Sequence, residues 1–438
     1  MALPTIFSQI IVLIYNMADT FYVGRTGNPY MVAGASLILP VFNICLSLAG
    51  LTGIGGGALV SRLLGQGRED EARKVSAFSF YLSIIITAFF SISMLIFMNP
   101  VLGILGASGN TVLYARQYAY CVIVLGGIPT VLSNVMSALL RSTGMSKAAG
   151  FGITMGGVIN IALDPLLMFV LLPKGFEVLG VGIATLLSNC IVCCYFLFVI
   201  YRNRQQSVIS FRVKDGLPDT KSILSIFNVG IPSAVATLLF DIDYVVIDKL
   251  MASYGDIALA SIGIVLKAER LPLNVGIGIC QGMMPIVAYN YSAGNKERMN
   301  GTIKFSLKLG IVVSLISIIL YQLFAEHIMQ IFISESQTVL LGTGFLRIRC
   351  LATPLMFMSF FTVHVFQGFG EGHKSLFLGV MRWAVFNIPM LFVLNYIVGM
   401  YGIVWSQVSA DVLTVALSFW VYSKYAHNVL KQAGNEND

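Results

Sequence analysis

Long apolar stretches separated by short polar connections are the dominant pattern along this chain. A helix that crosses a bilayer needs about 20 predominantly apolar residues. Twelve such stretches occur, at 4–23, 32–60, 76–97, 112–140, 148–172, 180–200, 223–247, 258–288, 305–324, 340–369, 376–398 and 402–421. Several are longer than one span requires and contain glycine or proline, which indicates tilted or bent helices. The pattern therefore predicts an all-α polytopic membrane protein with twelve transmembrane helices.

The composition agrees with that prediction and excludes several other classes. Of 438 residues, 57% are hydrophobic and 11% are charged, whereas a soluble globular chain carries roughly a quarter charged residues. A soluble enzyme, a disordered scaffold and a disulfide-stapled secreted module are therefore not expected. The first apolar stretch has no basic segment before it and no small-residue cleavage site, so we expect it to remain as a span.

The seven cysteines do not suggest a metal centre. All of them lie in apolar stretches, where cysteine behaves as a small buried hydrophobic residue. Cys190, Cys193 and Cys194 are close in sequence, but their neighbours provide no oxygen or imidazole ligand. We expect neither a resident metal nor an organic cofactor.

Basic residues in the connections predict the orientation of the helices. If the N-terminus is cytoplasmic, the inner loops and tail hold seventeen lysines and arginines, and the outer loops hold three, Arg25, Lys174 and Lys249. Because lysine and arginine concentrate on the cytoplasmic side, both termini are expected in the cytoplasm, in a cell inner (plasma) membrane. The net charge of +7 follows this topology and does not indicate nucleic acid.

Two halves of the sequence repeat each other. The segment DTFYVGR at 19–25 matches DYVVIDK at 243–249, GQGRED at 65–70 matches SAGNKE at 292–297, and Pro129 matches Pro354. Six helices separate each pair, so both halves share one orientation and are related by a pseudo-two-fold axis along the membrane normal. We predict a six-helix bundle at 1–201, a flexible cytoplasmic linker at 202–221, a second six-helix bundle at 222–425 and a cytoplasmic tail at 426–438.

Carboxylates within predicted spans indicate where chemistry could occur, because a charge at the bilayer centre costs roughly 2.5–3.5 kcal/mol on insertion scales. Six qualify: Asp19, Asp164, Asp241, Asp243, Glu269 and Asp411. Asn160 and Asp164 are four residues apart and share a helix face. If Asp19 and Asp164 meet inside the first bundle, repulsion and low hydration favour the protonated form of at least one of them. The alternative is that Asp164 only satisfies backbone groups freed by Pro165 and that Asp19 caps a kink.

Other polar residues have open interpretations. Asn16, Asn134, Ser137 and Thr185 could line the same cavity, although such side chains in membrane helices often bond to their own backbone. In the second half, Asp243 is the counterpart of Asp19, but Asp164 has no acidic counterpart in the matching segment 386–390. Lys267, Glu269 and Arg270 lie near Asp243 in the prediction, and a structural ion pair and a substrate contact remain equally open. For His364, a satisfied polar core residue is favoured over a proton carrier.

Glycines and prolines provide candidate hinges. They weaken or bend membrane helices and allow close contact between them, and static packing is the alternative interpretation. The candidates are Gly53, Gly55, Pro129, Gly282 and Pro354. The glycine run at 53–57 is not followed by Lys and Ser or Thr, so no ATP-binding loop is expected.

An ordered set of motifs resembles one transporter family. The segments are NMADTFYVG at 16–24, GIGGG at 53–57, SRLLGQG at 61–67 followed by Glu71 and Ala72, LRSTG at 140–144 and NIALDP at 160–165. Together they resemble the multidrug and toxic compound extrusion (MATE) family, in the bacterial branch with DinF-like and MepA-like exporters. The resemblance covers essentially the whole chain. It implies that Asp19 and Asp164, with Asn160, form the site for a coupling cation, H⁺ or Na⁺.

These observations predict a function. We expect secondary active efflux of amphipathic, often cationic organic compounds in antiport with H⁺ or Na⁺, by alternating access, in a protein that is a monomer and not an enzyme. The expected partners are small organic molecules and membrane lipid. A flippase of lipid-linked precursors in the same superfamily is the alternative, and it predicts a strongly basic central cavity.

Overall fold

The protein is described by a computed structural model that covers residues 2–205, 207–212 and 217–435, with side chains between 3 and 425. Every regular element in these ranges is a helix. Residues 206 and 213–216 of the predicted linker, which include Lys214, lie outside the described residues. The same is true of the side chains of the predicted tail, which include Lys431.

Six long helices form the N-terminal half. They are α1 (Ala2–Gly24), α2 (Pro29–Gly65), α3 (Glu69–Ile96), α4 (Val112–Leu125 and Gly127–Ser142), α5 (Ser146–Leu171) and α6 (Glu177–Arg202). A short helix, Met98–Ile104, connects α3 to α4. The two parts of α4 meet at a bend of 48°.

Six more helices form the C-terminal half. They are α7 (Thr220–Ala252), α8 (Asp256–Ser292), α9 (Lys296–Phe332), α10 (Ser336–Phe369), α11 (Gly372–Val398) and α12 (Met400–Asn435). Within the described residues, eleven helices are long and apolar enough to cross a membrane, and the bent α4 makes twelve. The predicted fold class, an all-α polytopic protein of two six-helix bundles, is confirmed.

Most helices are longer than the apolar stretches that predicted them. The stretch 305–324 lies inside α9, which begins at Lys296 and ends at Phe332. The extra turns at the start of α9, residues 296–304, are polar and begin at a cap, since Asn295 Oδ1 accepts a hydrogen bond of 3.0 Å from the backbone N–H of Arg298. The apolar pattern marks the part of a helix that meets hydrocarbon, whereas caps decide where the helix ends.

The repeat is visible in the backbone as well as in the sequence. Gly67 and Gly294, which end α2 and α8, both have φ of +73°. Gly144 and Gly370, which end α4 and α10, have φ of +87° and +81°. Glycine adopts this left-handed conformation without the steric penalty that other residues incur. The same turns therefore reverse the chain at equivalent places in both halves.

The two halves meet along a seam between α2 and the helices α7 and α8. A Cβ atom added to Gly55 would lie 2.4 Å from the carbonyl oxygen of Ile226, and one added to Gly230 would lie 1.9 Å from that of Leu51. Arg62 Nη2 also donates a hydrogen bond of 2.8 Å to Ser225 Oγ. These contacts lie toward the side on which α1 begins, so the halves are closed against each other on that side.

The first part of the predicted linker is not a free segment. Tyr81 on α3 donates a hydrogen bond of 2.7 Å to the carbonyl oxygen of Phe211, and the ring of Phe211 stacks on Phe80 with centroids 4.0 Å apart. Val208 and Ile209 are buried. Residues 207–212 of the predicted linker therefore contact α3, and the flexibility of the whole connection stays a prediction.

The candidate hinges differ in their surroundings. Gly53 lies in a π-helical turn of α2, Gly50–Ile54. Pro129 follows the bend in α4, and Pro354 follows a 3₁₀ turn in α10. Gly55 packs in the seam. Gly282 is buried within α8, which runs unbroken. Local breaks in the helix therefore accompany Gly53, Pro129 and Pro354, and movement at any of the five stays a prediction.

Replacing Gly230 with alanine should destabilise the protein. The new methyl group would overlap the Leu51 carbonyl, and overpacking of this kind typically costs about 1–3 kcal/mol. We expect a melting temperature several degrees below that of the wild-type protein in detergent. Gly263→Ala is the matched control, because a Cβ atom there meets nothing within 4 Å and alanine favours helix more than glycine does. Equal melting temperatures for the two variants would contradict the close contact.

Candidate cation site

Close packing of α1 on α5 brings two carboxylates together. A Cβ atom at Gly150 would lie 2.5 Å from the Pro4 carbonyl oxygen, and one at Gly157 would lie 2.5 Å from Ile11 Cγ2. From the first contact to the second, each of these parallel helices advances by seven residues, which is nearly two helical turns. Asp164 is the next residue in this series on α5. Asp19 lies eight residues beyond Ile11 on α1, so the two acids reach the same level.

The carboxyl groups of Asp19 and Asp164 lie next to each other, in electrostatic range. Asp164 is fully buried. Both of its carboxylate oxygens, and Oδ1 of Asp19, find no hydrogen-bond partner among the described residues. Two ionised carboxylates in this arrangement would repel each other at low hydration. A proton shared by the pair, or a cation between them, would remove that repulsion.

Asn160 and Thr185 extend the site toward α6. Asn160 Nδ2 donates a hydrogen bond of 3.4 Å to Thr185 Oγ1, and both residues are buried. Asn160 Oδ1 has no partner among the described residues. The predicted trio of Asp19, Asn160 and Asp164 therefore presents several unpartnered oxygens in one buried region. Such oxygens are the ligand type that hard cations prefer.

Two tyrosines beside the carboxylates were not anticipated from the sequence. The hydroxyl groups of Tyr15 and Tyr118 are both in electrostatic range of Asp19, and that of Tyr118 is also in range of Asp164. Tyr118 is 8% exposed. Its position on α4 gives no sign of a role in sequence, because Tyr114 and Tyr120 stand close to it and nothing in the sequence sets Tyr118 apart from them. A phenol here is able to donate a hydrogen bond to an ionised carboxylate.

Three predicted supporting residues have other partners. Asn16 Nδ2 donates a hydrogen bond of 2.8 Å to the Val12 carbonyl oxygen, and Asn134 Nδ2 donates one of 2.9 Å to the Thr130 carbonyl oxygen. Ser137 Oγ accepts a hydrogen bond of 3.0 Å from Arg141 Nη1. Asn16 and Asn134 therefore satisfy their own backbones, as polar side chains in membrane helices often do. The structure does not bring Asn134 or Ser137 to the carboxylate pair.

In the C-terminal half, the place that matches the carboxylate pair holds a carboxylate bonded to an amide. Asp243, the repeat counterpart of Asp19, accepts a hydrogen bond of 2.7 Å from Asn387 Nδ2. Asn387 also contacts Gln407. Gln407 donates a hydrogen bond of 2.7 Å to one oxygen of Asp411, and Arg382 donates a hydrogen bond of 2.9 Å to the other. All five residues are buried. Asp243 and Asp411 therefore both have donors within the protein.

Glu269 belongs to a second buried ion pair. Arg349 Nε donates a hydrogen bond of 2.6 Å to Glu269 Oε2, and Arg349 Nη2 donates one of 3.2 Å to Oε1. Arg349 is 1% exposed. Glu269 therefore takes part in a structural ion pair, whereas none of the ion pairs formed by the described residues joins Asp243 to Lys267 or Arg270. Lys267 and Arg270 remain on the exposed side of α8.

A π-helical turn explains why the sequence did not reveal Arg382 and Asn387. The turn spans Met381–Asn387 and precedes Pro389 in α11, whereas in α5 the π-helical turn follows Pro165. Each π-helical turn changes which residues share a face. Alignment on the two prolines pairs Asp164 with Ile388, although the side chain that reaches Asp243 belongs to Asn387.

His364 and the seven cysteines lie outside the carboxylate pair. His364 is buried, and its Nδ1 lies 2.8 Å from the Phe360 carbonyl oxygen, which is the satisfied core position that was favoured. All seven cysteines are free. Among the described residues, no group of three or more His, Cys, Asp and Glu side chains is placed to hold a metal ion.

Comparisons with known proteins agree with this architecture. The MatE family model matches residues 4–166 and 232–393, one segment in each half. The multidrug export protein MepA of Staphylococcus haemolyticus is 30% identical over 423 residues, which cover 96% of this chain and 92% of that protein.

Two solved structures share the fold. A crystal structure of MATE in complex with MaL6 has a TM-score of 0.92 at 24% identity, over 98% of this chain and 96% of that one. An outward-facing multidrug resistance MATE family transporter of the MOP superfamily has a TM-score of 0.91 at 24% identity, over 98% and 95% of the two chains. The chain belongs to the MatE family, the multidrug and toxic compound extrusion transporters that its motifs resemble.

Proposed function

We propose that this protein is a secondary active multidrug exporter. It moves amphipathic, often cationic organic compounds out of the cell in exchange for H⁺ or Na⁺ that enters at Asp19 and Asp164. The observation that carries the proposal is the unpartnered state of this carboxylate pair, in a protein whose second half gives Asp243, Glu269 and Asp411 donors of their own. A cation that binds and leaves in exchange for substrate would supply the charge that two adjacent carboxylates require.

The position of α1 links the pair to the seam. On one side α1 packs on α5, as described above. On the other side it packs on α8, where a Cβ atom at Gly278 would lie 2.8 Å from Ile6 Cα and Gln9 Nε2 donates a hydrogen bond of 3.0 Å to Gln281 Oε1. Binding of a cation at Asp19 changes the charge on the helix that both halves contact. Bending of α1 then couples cation binding to opening of the seam.

Orientation follows from the distribution of basic residues. Both termini then lie on the cytoplasmic side of a bacterial-type inner membrane. The closed side of the seam faces the cytoplasm, and the cleft between the halves opens outward. A monomer contains the complete site, since Asp19, Asn160 and Asp164 all belong to one chain. The MepA relative, named a multidrug export protein, supports export as the direction and organic compounds as the cargo.

Asp19→Asn and Asp164→Asn should each abolish gradient-driven efflux. The amide keeps the shape of the side chain but neither titrates nor carries charge, so the exchange of cation for substrate is lost. The measurement is uptake of a fluorescent cation into inside-out vesicles under a pH gradient and, separately, under a Na⁺ gradient, which also identifies the coupling ion. Asp256→Asn, at the exposed start of α8, is the matched control. Normal uptake by Asp19→Asn protein would refute the assignment, and acceptance of lipid-linked pyrophosphate in place of the dye would favour the flippase alternative.

Linking positions 62 and 225 should stop transport. Arg62 and Ser225 are joined by a hydrogen bond of 2.8 Å at the closed side of the seam, beside a polar cavity of about 340 Å³ that gives reagents access. We expect a short, reducible bifunctional thiol reagent to reduce uptake to background in Arg62→Cys/Ser225→Cys protein without native cysteines, and a reductant to restore it. Each single-cysteine variant treated in the same way is the control. Full transport in quantitatively crosslinked protein would show that this side of the seam need not open.

A further inference from the structure

An acidic and aromatic stripe lies on the face of α7 opposite Asp243. Asp241, Tyr244 and Asp248 are spaced i, i+3 and i+7, which places them on one side of a helix. Asp243 points into the C-terminal half and is 2% exposed. Asp241 is half-buried and Asp248 is exposed. The two carboxylates of the stripe are therefore available to a group outside the bundle.

The stripe begins where the seam ends. Along α2 and α7, which run antiparallel, Gly50 meets Ser233, and about two turns further the side chain of Asn43 lies close to that of Asp241. A further two turns would pair Ser36 with Asp248, but both of these residues are exposed. The halves therefore diverge beyond Asp241. Asp241 marks the base of the opening, and Asp248 lies on its wall.

Two groups at the base have unused hydrogen-bonding capacity. Asp241 Oδ2 and the Tyr244 hydroxyl are both buried, and neither has a hydrogen-bond partner among the described residues. Unsatisfied polar groups in a buried position cost free energy. A ligand that brings a positive charge or a donor to this point would therefore gain from both groups.

One cation of the protein already lies against the stripe. The guanidinium of Arg270 on α8 lies 5.0 Å from the centroid of the Tyr244 ring and 6.0 Å from that of Phe240. It is in electrostatic range of Asp241 and Asp248. None of the ion pairs formed by the described residues includes Arg270. Aromatic faces combined with carboxylates are the surroundings that proteins use to bind organic cations.

We propose that Asp241, Tyr244 and Asp248 form a subsite for the positively charged group of an organic substrate, and that Arg270 is a resident cation that the substrate displaces. The subsite rests on the proposed function in taking an organic cation as cargo, but it is separate from the carboxylate pair at Asp19 and Asp164. Arg270 is exposed, and it contacts the rings of Phe240 and Tyr244 without an ion pair among the described residues. Its guanidinium is therefore free to move into the cleft. A substrate cation must therefore interact with the stripe more strongly than Arg270 does.

Equilibrium binding tests the proposal without transport or an ion gradient. The probe is ethidium, a fluorescent aromatic cation, titrated into purified full-length protein in lipid nanodiscs. Arg270→Ala removes the competing cation, so we expect the dissociation constant to fall roughly three- to tenfold. Lys267→Ala removes an equal charge one turn away on α8, where no aromatic ring of the described residues contacts the ammonium group. This variant should change the constant by less than about twofold because exposed charges are screened.

The opposite change is expected on the acidic side. Asp241→Asn removes a charge that faces the ligand, and should raise the dissociation constant for ethidium roughly fivefold or more. Binding of Nile red, which is neutral, should be the same in all variants. A melting temperature for each variant identifies any that fail to fold, and Asp248→Asn, at an exposed position, provides a second acidic test that leaves the packing intact.

Several outcomes would overturn the subsite. They are unchanged ethidium binding in both aspartate variants, equal effects of Arg270→Ala and Lys267→Ala, parallel changes for Nile red, or no saturable binding of ethidium to the wild-type protein. Failure of the proposed antiport would show differently, as normal uptake by Asp19→Asn protein in vesicles. The two hypotheses can therefore fail independently.

Discussion

The need to satisfy polar groups inside a hydrocarbon solvent governs this structure. Water is absent from the bilayer core, so each buried carboxylate requires a donor or a cation from within the protein. Three carboxylates of the C-terminal half meet this requirement with arginines and amides, through Arg382 at Asp411, Arg349 at Glu269 and Asn387 at Asp243. The N-terminal half leaves Asp19 and Asp164 facing each other without such donors. One repeated fold thus contains an acid pair without donors in its first half and acids with donors in its second half.

The sequence predicted the fold well because each span carries its own signal. Apolar length located every long helix of the described residues, and the repeat of motifs agreed with glycines such as Gly67 and Gly294, which adopt the same φ. It also singled out Asp19 and Asp164, because a carboxylate is rare in a span and two at matching depth invite pairing. Their proximity could be anticipated, since Gly150 and Gly157 precede Asp164 at seven-residue intervals.

The networks around these acids could not be predicted, for identifiable reasons. The ion pair of Glu269 with Arg349 joins residues eighty positions apart, and no local pattern indicates which arginine turns inward. Asn387 was missed because the π-helical turn of α11 shifts its face. Tyr118 has no distinguishing neighbours. Asn134 and Ser137 were placed near the site on helix position alone, and their local hydrogen bonds took precedence.

Because of the location of α1, the point at which the chain divides into halves does not coincide with the boundary between the halves in space. The chain divides near residue 203, yet Ile6 and Gln9 of α1 pack on α8 in the other half. The first bundle expressed alone would expose this face of α1, and the second would expose the face around Gly278. Neither half is therefore a self-sufficient folding unit in the manner of a soluble domain. Fragments divided at the linker would have to reassemble around α1, which acts as the common wall of both bundles.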